Sequence, residues 1–168
     1  MKLDIQALVD SPEMTFDETT EVNLKGLKLG TQQTICTTKV YGKVSKHKPL
    51  YLVNGFVDTT LKLLCNRCGQ EEDYPLHAEL YGEFSTDEIY QNENEDVKQV
   101  IGSTIDLSDD ILASIALDIP LGFYCKEDCL GICSECGANQ NENPCDCVNS
   151  DIDIRLEQFR DILRFTSK

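Results

Sequence analysis

Eight of the nine cysteines fall into four close pairs, and thiols at such spacing are the residues of this chain best suited to chemistry. Cys65-Asn66-Arg67-Cys68-Gly69 and Cys133-Ser134-Glu135-Cys136-Gly137 repeat one pattern, C-x-x-C-G. Two intervening residues let both thiolates converge on one ion while backbone N–H groups between them point at the sulfurs. Glycine after the second cysteine suits the positive φ at which such a knuckle turns back. A lone C-x-x-C can be a redox pair. Two copies, each with a further cysteine pair to complete it, point to metal instead.

Cys145-Asp146-Cys147 follows Cys136 after eight residues of polar loop, long enough to fold back. Cys133, Cys136, Cys145 and Cys147 are therefore expected to surround one tetrahedral zinc at about 2.3 Å. Cys125 and Cys129 are separated from Cys133 by only three residues, which leaves a shared knuckle no room. They are assigned to Cys65 and Cys68, far away in sequence. The expectation is two structural zinc ions, each closed by four thiolates. Each such site adds a local charge of −2, taking the formal net charge from −15 to about −19. Cys36 shares a strand face with Val40 and Val44 and is expected to be a buried hydrophobe.

No catalytic constellation accompanies these thiols. His47 sits in a basic turn and His77 on the solvent face of a strand, neither beside a nucleophile, and no glycine-rich phosphate loop is present. The chain is expected not to be an enzyme and to take no small-molecule substrate.

The elements that must hold the cysteines follow from periodicity. Residues 2–9, 34–46, 50–64 and 72–84 alternate apolar with polar side chains, as half-buried strands do. The last three form an antiparallel meander, open or partly closed into a barrel, with Cys65 to Gln70 at the tip between its last two strands. The stretch 85–100 is acidic and reads as a loosely held loop. Ser108 resembles an N-cap for a helix with Ile111, Leu112, Ile115 and Ala116 on its apolar face, stopped by Pro120. A second helix is expected over 152–165, burying Leu156, Phe159, Ile162 and Leu163. Residues 122–149, rich in glycine and asparagine, cannot build a core of their own. The fold class is α+β, with a sheet-and-helix part over 1–121 and a zinc-ribbon-like segment with the final helix over 122–168.

Charge is segregated along the chain: residues 22–70 are net positive by seven and residues 71–154 net negative by nineteen. This suggests a basic face for a polyanion and an acidic face for a basic partner, against the plainer reading of charges that only keep the protein soluble. The N-terminal stretch lacks the apolar run of a secretory signal, and no segment approaches the roughly 20 apolar residues of a membrane span. A cytoplasmic protein with reduced thiols is expected, with no membrane partner.

The order of these features is similar to a known family. A basic antiparallel region leads to Leu64-Cys65-Asn66-Arg67-Cys68. An acidic loop, Ile105-Asp106-Leu107 and Leu117 to Pro120 follow, and then Gly131-Ile132-Cys133-Ser134-Glu135-Cys136-Gly137-Ala138-Asn139. The chain resembles the YceD family of large-subunit ribosomal RNA accumulation proteins over nearly its whole length. It departs from the family where Asp153-Ile154-Arg155 stands in place of Asp-Pro-Arg. The resemblance implies support of ribosomal RNA accumulation and large-subunit assembly. Two modes stay open. Lys39, Tyr41, Lys43, Lys46 and Lys48 can meet RNA phosphates and bases, or the acidic region can hold a basic ribosomal protein. An alternative of another class is a redox-sensitive zinc-binding chaperone or adaptor.

Overall fold

The computed structural model describes residues 1–27, 29–87 and 96–147, and the chain divides into two compact units. One comprises Met1–Leu64 and Glu71–Phe123. The other comprises Cys65–Gln70 and the residues from Tyr124 onward, described as far as Cys147.

The framework of the first unit is a sheet of five strands: β2 (Glu13–Asn23), β3 (Ile35–His47), β4 (Leu50–Leu64), β5 (Glu71–Ser85) and β6 (Lys98–Gln99), paired in that order. The first four are antiparallel neighbours, and β6 joins β5 in parallel. Alternation sets the inner face: Cys36, Val40, Val44, Val53, Val57, Leu61, Leu76, Ala78, Leu80 and Phe84 are all buried. A separate ribbon pairs β1 (Lys2–Asp4) with β7 (Thr104–Asp106). The helix α1 (Ser108–Asp118) packs chiefly against β5 and adds Ile111 and Ile115 to the same core. Burying each of these isoleucines contributes about 1.5–3 kcal/mol. No helix among the described residues is long and apolar enough to cross a membrane.

The meander stands where periodicity places it, and several other elements differ from expectation. The sheet is open, with β2 and β6 at its edges, and not a partly closed barrel. Leu3, Ile5, Leu8 and α1 cover its apolar face, so closure is not needed to bury it. The strand expected over 2–9 stops at Asp4, whose carboxylate accepts the Gln6 N–H at 2.9 Å. A 3-10 turn over Gln6–Val9 follows, so Ile5 and Leu8 point inward at helical spacing and Val9 is exposed.

β2 was not expected, because only Phe16 and Val22 along it are buried and acids and threonines fill the rest. Ser108 is the first residue of α1 and not its N-cap; its hydroxyl donates to Asp106 at 2.6 Å instead. Ala116 is exposed, and Asp110 and Ser114 occupy the buried face. The Lys98 ammonium, 2.8 Å from Asp110, makes that burial tolerable. The described residues hold one α-helix where two were expected. The second, over 152–165, lies outside them, as do Asp153-Ile154-Arg155 and the central part of the acidic loop.

Candidate metal centres

The two C-x-x-C-G copies fold alike. In one, the Cys65 N–H donates to the Gln70 carbonyl at 2.8 Å and the Gly69 N–H to the Cys65 carbonyl at 2.8 Å. In the other, Cys133 donates to Ala138 at 2.8 Å and Gly137 to Cys133 at 2.9 Å. Gly69 and Gly137 have φ of 71° and 72°, and nothing lies within 4 Å of where a Cβ would stand. Glycine is thus required there by the positive φ and not by crowding.

Both knuckles belong to the second unit, and each meets another cysteine pair. The sulfurs of Cys65, Cys68, Cys125 and Cys129 lie within 4.8 Å of one another, as do those of Cys133, Cys136, Cys145 and Cys147. This is the grouping that loop length dictates. Across the first set, Sγ separations are 3.8 Å for Cys65–Cys129 and 3.7 Å for Cys68–Cys125. A disulfide requires about 2.05 Å. Four thiolates around a tetrahedral ion at about 2.3 Å stand about 3.8 Å apart. The donor set therefore fits an ion such as zinc. Cys36, the ninth cysteine, is buried in the sheet core with its sulfur 3.3 Å from the Thr38 hydroxyl.

Arg67, inside the first knuckle, ties the two chain segments of this unit together. Its guanidinium donates to the carbonyls of Glu127 at 3.0 Å and Cys129 at 3.1 Å and lies 4.7 Å from the centre of the Tyr124 ring. Its own carbonyl accepts the Ile132 N–H at 3.1 Å. Sequence reasoning counted Arg67 only as a charge. Side-chain amides reach the sulfurs as well: Asn141 donates to Cys129 at 3.4 Å and Gln140 to Cys145 at 2.9 Å. Such outer donors orient ligands and temper thiolate charge.

The two sets differ in exposure. Cys65, Cys68 and Cys129 are buried, with Cys125 half-buried, whereas Cys136 and Cys147 are exposed. Without a cation, crowding splits the thiols. Burial raises the Cys65 thiol, yet backbone N–H groups of Cys125, Cys68 and Arg67 outweigh it and bring the pKa down to about 6. Burial, then the neighbouring sulfurs, push Cys125 up to about 12. In the other set the Cys147 backbone N–H, then the Gln140 amide, bring Cys145 down to about 6, and Cys136 and Cys145 push Cys147 up to about 12. Four thiolates this close are jointly stable only around a cation.

Among the described residues, the outer face of the sheet is not the basic one that charge segregation suggested. Register sets the lysines of β3 beside carboxylates: Lys39 pairs with Asp17 at 3.2 Å and Lys43 with Glu13 at 3.8 Å. The Lys46 ammonium donates to the Leu8 carbonyl at 2.7 Å. Over β2 to β5, the outward positions hold eight carboxylates (Glu13, Asp17, Glu21, Asp58, Glu71, Asp73, Glu79 and Glu83) and three lysines (Lys39, Lys43 and Lys62). The face is anionic.

Comparison with known proteins agrees with this layout. The family described as "Large ribosomal RNA subunit accumulation protein YceD" matches residues 53–163, from within β4 onward. An uncharacterized protein of Mycobacterium bovis is 31% identical over 98 residues, covering 55% of this chain and 46% of that protein. The "Large ribosomal RNA subunit accumulation protein YCED homolog 1, chloroplastic" of Arabidopsis thaliana is 30% identical over 142 residues, 66% of this chain and 43% of that protein. The chain spans less than half the length of these relatives. No solved structure matches it. With the match running over most of its length and across all eight paired cysteines, the chain belongs to the YceD family.

Proposed function

We propose that this chain is a non-enzymatic, cytoplasmic zinc-binding factor that supports accumulation of large-subunit ribosomal RNA by engaging a basic ribosomal protein. The observation that carries the metal part is the gathering of eight cysteines into two closed sets of four. Catalytic zinc keeps one position for water or substrate, and four thiolates leave none. The ions would act as architecture. The buried cluster of the second unit consists of Cys65, Cys68 and Cys129 with Cys125 against it, so metal takes the place of an apolar core. Structural zinc binds zinc-finger peptides with an apparent 10–16 kcal/mol, roughly, at neutral pH, enough to fold a segment of this kind.

The ribosomal part is supported by the family's description and by the name of the Arabidopsis relative. For the direct partner, an anionic sheet face favours a basic protein over the phosphate backbone of RNA. In the organism that carries this gene, depletion is expected to lower the ratio of large- to small-subunit ribosomal RNA. The wild-type chain should restore the ratio, and a chain lacking Cys65 and Cys133 should not. An unchanged ratio after full depletion would contradict the proposal.

A further inference from the structure

The outer face of the sheet carries aromatic rings, among them the exposed Phe56 and Tyr81. Tyr41 and Phe56 are directly opposed across β3 and β4, with ring centroids 5.9 Å apart. Phe56 is stacked on His77 at 4.9 Å, and the His77 ring is held by Asp58 at 2.5 Å. Tyr81, on β5, is 57% exposed and Phe56 38%. Between Tyr41, Phe56 and Tyr81 runs a groove of about 710 Å³ whose wall includes Glu79 and whose floor includes the backbone of Gly42 and Gly55. At that glycine pair the two strands approach so closely that a Cβ on Gly42 would stand 2.3 Å from the Asn54 carbonyl oxygen.

Exposed rings of this kind can stack bases, cover an apolar helix or take cations. Charge decides among them. The face that surrounds the groove holds eight carboxylates against three lysines, which disfavours a polyanion. An apolar helix would bring no cation to Glu79 in the groove wall while taking it out of water. A cation already uses one ring: the Lys39 ammonium lies 5.3 Å from the centre of Tyr41. We infer that this groove docks an arginine-rich segment of a basic protein, with guanidinium planes on Tyr41, Phe56 and Tyr81 and charge met by Glu79 and Glu83. Arginine suits the site better than lysine because its planar group stacks on a ring while its edge bonds a carboxylate. The inference rests on the proposed role through a basic protein partner and places that partner on the sheet.

The test uses the full zinc-loaded chain with two fluorescent probes, a short peptide of alternating arginine and glycine and a single-stranded oligouridine. The peptide is expected to bind more tightly than the oligouridine near physiological salt. Changing its arginines to lysines should weaken binding by roughly tenfold. Tyr81→Ala, and Glu79→Gln with Glu83→Gln, should each weaken it severalfold, the carboxylate variant also flattening the salt dependence. Tyr81 and Glu79 are exposed and Glu83, which accepts the Tyr81 hydroxyl, is half-buried, so melting should change little. If a variant melts early, amide shift changes at Tyr41, Phe56 and Tyr81 of the wild-type chain on peptide addition decide instead. Tighter binding of oligouridine, or peptide binding that the variants or shifts do not register, overturns the inference. A chain that binds no peptide yet supports ribosomal RNA accumulation overturns this docking alone and leaves the zinc architecture standing.

Discussion

Replacing Cys133 and Cys136 with serine removes half of one thiolate set. One zinc per chain is then expected instead of two, with loss of amide protection over 131–147 and retained protection in β2–β5. Hydrogen exchange alongside metal analysis checks this, and unchanged protection over 131–147 would be the contrary result. A second prediction concerns acid. The Ser108 hydroxyl, and then its N–H, bond to Asp106 and hold its carboxyl below the usual carboxylate range. A depressed folded pKa contributes stability that is present above about pH 4 and lost as pH falls through the folded value. Asp106→Asn should therefore melt lower than wild type at pH 6, and the gap should shrink toward pH 3. A gap that stays constant would contradict it. The cysteine grouping was legible because spacing within about six residues fixes the knuckle, and loop length then leaves one way to pair the sets. Arg67 was not legible, since its partners are carbonyls some sixty residues away whose position no local pattern encodes.

The elements read from the chain in proportion to how completely they are buried on one side. β3, β4 and β5 alternate over 13 to 15 residues and were placed within about a residue at each end. β2, an edge strand, buries only Phe16 and Val22, too few to signal a period of two. In residues 2–9 Leu3, Ile5, Ala7 and Val9 fit alternation while Ile5 and Leu8 stand at helical spacing, and the Asp4 side chain decides for a turn. α1 shows how a tertiary partner overrides periodicity. Asp110 stands on the buried face because Lys98, from β6, reaches it. Lys98→Met should leave the nearly buried carboxylate unpaired and cost about 1–3 kcal/mol in denaturant unfolding, with Lys98→Arg close to wild type. Equal stability of the methionine variant would show that the pair does not support α1.

For the whole molecule, linear charge misled where local spacing did not. Residues 22–70 are strongly positive in sequence, yet antiparallel pairing lays Lys39, Lys43 and Lys62 against carboxylates of β2 and β5 on an outer sheet face that is anionic. A charge pattern becomes a face only after register is known. The cysteine sets need no such knowledge: local spacing brings eight thiols of the second unit into two groups that could each hold a metal ion. The most direct test is metal analysis of the chain purified under reducing conditions without chelator, paired with native mass spectrometry. About two zinc ions per chain are expected, both released together with loss of fold in the second unit when a mercurial titrates the eight thiols. A chain that is folded, fully reduced and free of zinc would contradict the two-ion architecture outright.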